Sequence, residues 1–269
     1  MAAELMRQLR RRRTAFGLVG IAAVPVLLAV AFYFTTDSNG GGNGGDDPTG
    51  LFDLARASGL NFAIMSLAAI GPFLLLSVVA LFTGDTVSSE ASWSSLRYLL
   101  TRPVSRARLL GRKLVVGAGL SVLAGLVATT SALVCGFIAF GGGGMVTPFG
   151  NLAAGEALLR IVLILGYVLW SSAWVACLAF ALSTVTDEPV GAVAGTIVVV
   201  IVVQILDNIT ALGTLRAFLP VHEAGAWLGL LADPSRYDDL VRGMWLQVPY
   251  IVISLAAAWW HFLRKDILS

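Results

Sequence analysis

Six long apolar runs constrain this chain more than any other feature. They lie at about residues 16–34, 62–82, 114–140, 157–182, 190–206 and 246–262. A helix of about 20 mostly apolar residues crosses the roughly 30 Å hydrocarbon layer of a bilayer. The stretch Ile197–Val203 is rich in Val and Ile and would suggest a strand in water. In hydrocarbon every backbone N–H and C=O must be satisfied within the segment, so a helix wins. Only 13% of the residues are charged, about half the share of a soluble domain. The chain is therefore expected to be an all-α integral membrane protein with six transmembrane helices. Residues 1–13 are expected to form a separate cytoplasmic amphipathic segment, and 14–269 a single domain.

Charge sets the expected orientation. With both termini in the cytoplasm, the inner side holds thirteen of the 18 Lys and Arg residues, as the positive-inside rule demands. Arg7, Arg10, Arg11, Arg12 and Arg13 alternate with Leu5, Met6 and Leu9, a pattern suited to an anionic inner leaflet. Asp37–Gly50 is a Gly/Asn/Asp linker on the outer side. It lacks the Gly-Lys-Ser/Thr ending of a phosphate loop. Asp207–Trp245 is too polar to span and too apolar for a plain linker. Short interfacial or re-entrant helices are expected there, broken at Pro220 and Pro234.

Between the second and third runs lies the longest polar and basic interruption of the first two thirds, TGDTVSSEASWSSLRYLLTRPVSRARLLGRKL, Thr83 to Leu114. Trp93, Leu96 and Leu100 share a face at helical spacing. Pro103 ends that helix and pushes Arg102 toward an extended conformation. Ser105 is placed to cap a second helix carrying Arg106 and Lys113. This predicts a helix, a tight turn and another helix on the cytoplasmic surface.

Small residues suggest packing seams. Gly117, Ser121, Gly125 and Thr129 recur every four positions in the third run, and Gly191 and Gly195 do so in the fifth. Such stripes let helices approach closely, within the subunit or across a dimer. Glu156 and Arg160 are spaced for an i,i+4 ion pair. Trp170 and Trp174 lie on one face and are read first as packing, with a substrate platform as the alternative. Cys135 and Cys177 lie at different expected depths, which disfavours a disulfide.

Chemical machinery is sparse. The two histidines, His222 and His261, do not form a cluster with metal-ligand spacing. The middles of the runs carry no carboxylate or histidine of the kind ion-coupled carriers use. Any uphill transport must draw its energy from another subunit.

The order Glu90, Leu96, Leu99, Leu100, Pro103, Ser105, Arg106, Leu109, Leu110, Lys113 resembles the signature between the second and third spans of type-2 ABC exporter permeases. These are the membrane subunits of ATP-binding-cassette transporters. The chain departs from the pattern at Ser94 and Ser95, where Gly-Thr is usual. The resemblance implies a non-enzymatic permease subunit in the cell membrane, forming half of a translocation path. It implies a second permease, identical or related, and two cytoplasmic ATPase subunits that bind the ATP and magnesium. No cofactor is expected in this chain and no nucleic acid as partner. Glu90, Trp93, Leu96, Arg97, Leu100, Arg102, Pro103, Ser105, Arg106 and Lys113 would form the coupling helix seated on the ATPase. Two other functions compete. A membrane scaffold would use the same basic face to hold a soluble partner, and a stand-alone secondary transporter is disfavoured by the missing mid-membrane carboxylates.

Overall fold

A computed structural model describes Met6, Gln8 and residues 11–38, 51–92, 106–147, 150–186, 188–232 and 235–264. Six helical spans cross the molecule, each long and apolar enough to traverse a membrane. The first is α1 (Arg12–Ser38). A short helix, α2 (Leu51–Arg56), precedes the second span. That span runs through α3 (Gly59–Ile70), a π-helical turn (Gly71–Leu75) and α4 (Leu76–Ser92). The third is α5 (Arg106–Phe140). A small hairpin, β1 (Met145–Thr147) with β2 (Gly150–Leu152), leads to the fourth span, α6 (Ala154–Ser171) and α7 (Ala173–Val185). The last two are α8 (Pro189–Asn208) and α9 (Asp238–Arg264). The chain is thus an all-α, six-span membrane protein.

Most helices outrun the apolar runs that announce them. α5 has 35 residues, about 52 Å at roughly 1.5 Å per residue, against a hydrocarbon layer of about 30 Å. The excess is polar at one end only, Thr83–Ser92 of α4 and Arg106–Lys113 of α5. These two helices therefore extend side by side beyond the apolar zone at that end. α9 begins at Asp238, eight residues before the apolar run at 246, because Asp238 and Asp239 suit the positive end of a helix. Arg12 and Arg13 already belong to α1.

Three spans carry a proline in their interior, and a side chain from a neighbouring helix bonds to the backbone close to each. Pro25 lacks the N–H that would bond to Ile21; beside that gap the Ser131 hydroxyl of α5 donates to the Ala22 carbonyl at 2.7 Å. Pro72 sits in the π-helical turn, and Gln204 of α8 donates to its carbonyl at 2.6 Å. Pro249 interrupts α9, and the Trp170 indole donates to the Met244 carbonyl at 3.1 Å. The bonded carbonyls, Ala22, Pro72 and Met244, lie at or beside the prolines rather than opposite the missing N–H groups, so each bond ties a neighbouring helix to the weakened turn.

One end of the bundle carries a cap. Two 3₁₀ segments, Thr210–Phe218 and Ala226–Leu231, lie in the expected interfacial region. Their carbonyls and those of their connectors are pinned by side chains from below. Tyr250 donates to Phe218 at 2.6 Å, Gln247 to Pro220 at 2.7 Å and Tyr167 to Glu223 at 2.5 Å. The buried Arg160 donates to Leu230 at 2.8 Å and Ala232 at 3.2 Å while holding Glu156 at 2.6 Å. The expected Glu156–Arg160 pair is present, and it doubles as a fastening for the cap.

Candidate functional site

Two ends of the bundle are candidates, and they are built differently. At the polar end, α4 presents Thr83, Asp85, Thr86, Ser88 and Ser89, all buried. Hydroxyls tolerate burial in a helix when they bond back to the preceding turn. Thr83 bonds to the Val79 carbonyl, Thr86 to Thr83, Ser88 to Gly84 and Ser89 to Asp85. Ser183 of α7 accepts from the backbone N–H groups of Val87 and Ser88 at 3.1 and 3.0 Å and donates to the Ser88 hydroxyl at 3.2 Å. Lys113 of α5 is only 4% exposed and donates to the Thr86 carbonyl at 2.7 Å. Below them Val87, Leu110, Phe180, Ala258 and Phe262 close an apolar layer across α4, α5, α7 and α9.

Asp85 is the centre of charge at this end. Arg11 reaches it at 3.0 Å and Arg13 at 2.9 Å, and Arg11 also donates to Ser89 at 3.1 Å. Two arginines from the N-terminal region are thus spent on the second span rather than left for lipid headgroups. The sequence reading missed Asp85. A single acid among hydroxyls, facing five N-terminal arginines on the same expected side, was the available signal.

The predicted coupling residues fall into three groups. Trp93, Leu96, Arg97, Leu100, Arg102, Pro103 and Ser105 lie outside the described residues. Glu90 belongs to α4 and Arg106 opens α5. Lys113 is buried between helices, so it ties α5 to α4 rather than facing a partner. Arg108 and Arg112 are exposed on the same stretch.

The predicted small-residue seams divide. A methyl group on Gly117 would stand 3.1 Å from the Thr83 side chain, and one on Gly125 would stand 2.8 Å from Leu169. Ser121 and Thr129 are buried beside them. This stripe packs within the chain. Gly191 is exposed and Gly195 makes only ordinary contact with Leu182. α8 instead buries the neighbouring stripe, Ala192, Thr196 and Val200. One close backbone-to-backbone approach was not foreseen. Gly59 meets Gly136 so tightly that a Cβ on either would lie 2.5–2.7 Å from the other's backbone.

At the capped end the bundle is hollow. A cavity of about 1050 Å³ lies between α3, the hairpin, the second 3₁₀ segment and the start of α9. A second space of about 380 Å³ adjoins the π-helical turn and shares Ala68, Gly225 and Trp227 with the first. Asn61 fastens one wall by pairing both ways with Val146, at 2.6 and 2.9 Å. Of the two tryptophans, Trp174 is buried against Tyr250, while Trp170 is partly exposed and serves the α9 backbone. His222 sits 2.7 Å from Asp207, which lines the second space.

The sequence profile of the family described as ABC-2 family transporter protein matches residues 1–206. A comparison with curated proteins found no match.

Proposed function

Because the chain belongs to the ABC-2 family of transporter proteins, and is thus a membrane permease component of an ABC transporter, we propose that it serves an exporter of the cell membrane. Both termini lie in the cytoplasm, and the Glu90–Lys113 element takes up the ATP-driven movement of a partner ATPase. Family members typically work with such ATPases, which bind and hydrolyse the nucleotide. Two ATPase subunits and a second permease complete the assembly.

The observation that carries this reading is the solid polar end. α4 and α5 run past the apolar zone, locked to each other by Lys113 and to α7 by Ser183. A push on the segment between them is transmitted rather than absorbed, because a buried, fully bonded polar network is rigid. The π-helical turn is the natural hinge above this block, since such turns mark functional bends in helices. Beyond it α3 forms one wall of the large cavity. Inner displacement would thus become a change in the outer chamber.

The test is co-expression with an ATPase from the same operon, purified through a tag on one partner. Glu90→Ala with Arg106→Ala should reduce co-purification and uncouple ATP turnover from transport in vesicles. Unchanged co-purification and coupled turnover would remove the coupling assignment. Labelling of single cysteines at Arg108 from the inner side only is the expected orientation result; labelling from outside overturns it.

A further inference from the structure

We propose that the 1050 Å³ cavity at the capped end is a binding site for an amphipathic organic cation, an apolar body bearing one positive group. Its size matches drug-sized ligands, which occupy about 300–1000 Å³. Its walls are apolar: Ile64, Met65 and Ala68 from α3, Met145 from the hairpin, Trp227 and Leu231 from the cap. The one side-chain amide among the described lining residues, Asn61, has its oxygen occupied by Val146 and Ser58 and one of its two N–H groups given to Val146. Methionine thioethers adapt to varied shapes, and the Trp227 and Tyr237 rings suit a cation.

Charge decides the sign of the ligand. Among the described lining residues the charged groups are Asp238, Asp239 and Arg236, two carboxylates against one guanidinium. Both carboxylates are exposed at the first turn of α9. They also favour the helix end they occupy, which accounts for acids there but not for the apolar chamber beside them. An anion would meet net repulsion at the mouth. A neutral lipid tail would gain nothing from the carboxylates. Taking the occupant as cargo rests on the transport reading above, whereas occupancy itself does not.

The test is equilibrium binding to the full chain in zwitterionic nanodiscs, without ATPase, so that failure of coupling and failure of this site give separate results. The probe is rhodamine 6G, with coumarin 153 as a neutral dye and empty nanodiscs as the partition control. Saturable rhodamine binding above the control is expected. Asp238→Asn with Asp239→Asn, isosteric and exposed, should weaken rhodamine binding at least fivefold and leave coumarin binding unchanged. Met65→Trp with Ala68→Trp should abolish binding of both dyes, while Leu158→Trp on an exposed face should not. The proposal is overturned if binding does not exceed empty nanodiscs, if the filled cavity binds normally, or if neutralising the carboxylates affects both dyes equally.

Discussion

The two ends of this bundle share six helices and differ in what fills the space between them. At the polar end the space beside Asp85 amounts to about 10 Å³. At the capped end it is about 1050 Å³. Both ends bury polar groups, but they use them differently. Around Asp85 and Lys113 they join transmembrane helices directly. Around Arg160, Tyr167 and Gln247 they hold up a lid of 3₁₀ backbone. Lipid gives helices no hydrophobic reason to associate, so close van der Waals contact and internal polar bonds must do it. One end spends them on solidity and the other on keeping a chamber open. The coupling proposed above needs both.

Four substitutions break or sharpen this contrast. The largest effect is expected from Gly136→Leu at the capped end. The new side chain would strike the Gly59 backbone, which cannot yield as a side chain can. A loss of about 3 kcal/mol or more is expected, read as a collapse of folded yield and thermal stability in detergent. Arg160→Met comes next. It strands the Leu230 and Ala232 carbonyls and removes the Glu156 partner, at a cost of about 2–3 kcal/mol. Limited proteolysis should then cut in the cap first, leaving the polar end protected.

Asp85→Asn tests the opposite end. It keeps the shape and removes the charge that gathers Arg11 and Arg13. Arg13 is largely solvated, so the loss should be about 1 kcal/mol. Its mark should be a freed N-terminal region, visible as faster hydrogen exchange around residues 11–14. Ser183→Ala is smallest, about 1 kcal/mol or less. It should lower ATP-coupled transport without changing dye binding, which would separate the two ends functionally.

Much of this was readable from the residues. Long uncharged runs have one physical solution in a bilayer, so the six spans followed directly. Glu156 and Arg160 were readable because their spacing alone makes a pair. What escaped depended on neighbours. Gly136 ends a stripe of small residues, Ala124, Ala128 and Ala132, on the buried face of α5, but only the fold shows that its partner is Gly59. Gly191 and Gly195 form a visible stripe, yet α8 buries Ala192, Thr196 and Val200, since either face is small enough and the partner helix decides. The π-helical turn at Gly71–Leu75 escaped because hydropathy does not register how tightly an apolar helix is wound. Asp85 escaped because its partners lie more than seventy residues away.

The most direct test of the contrast is a pair of spin-label distances in the assembled transporter, with Cys135 and Cys177 replaced by alanine. One pair, at Arg108 and Val185, spans the polar end; the other, at Ile138 and Leu215, spans the capped end. On trapping the ATPase with ATP and vanadate, the polar-end distance should stay narrow and unchanged, while the capped-end distance shifts or broadens. A polar end that loosens while the capped end stays fixed would contradict the account.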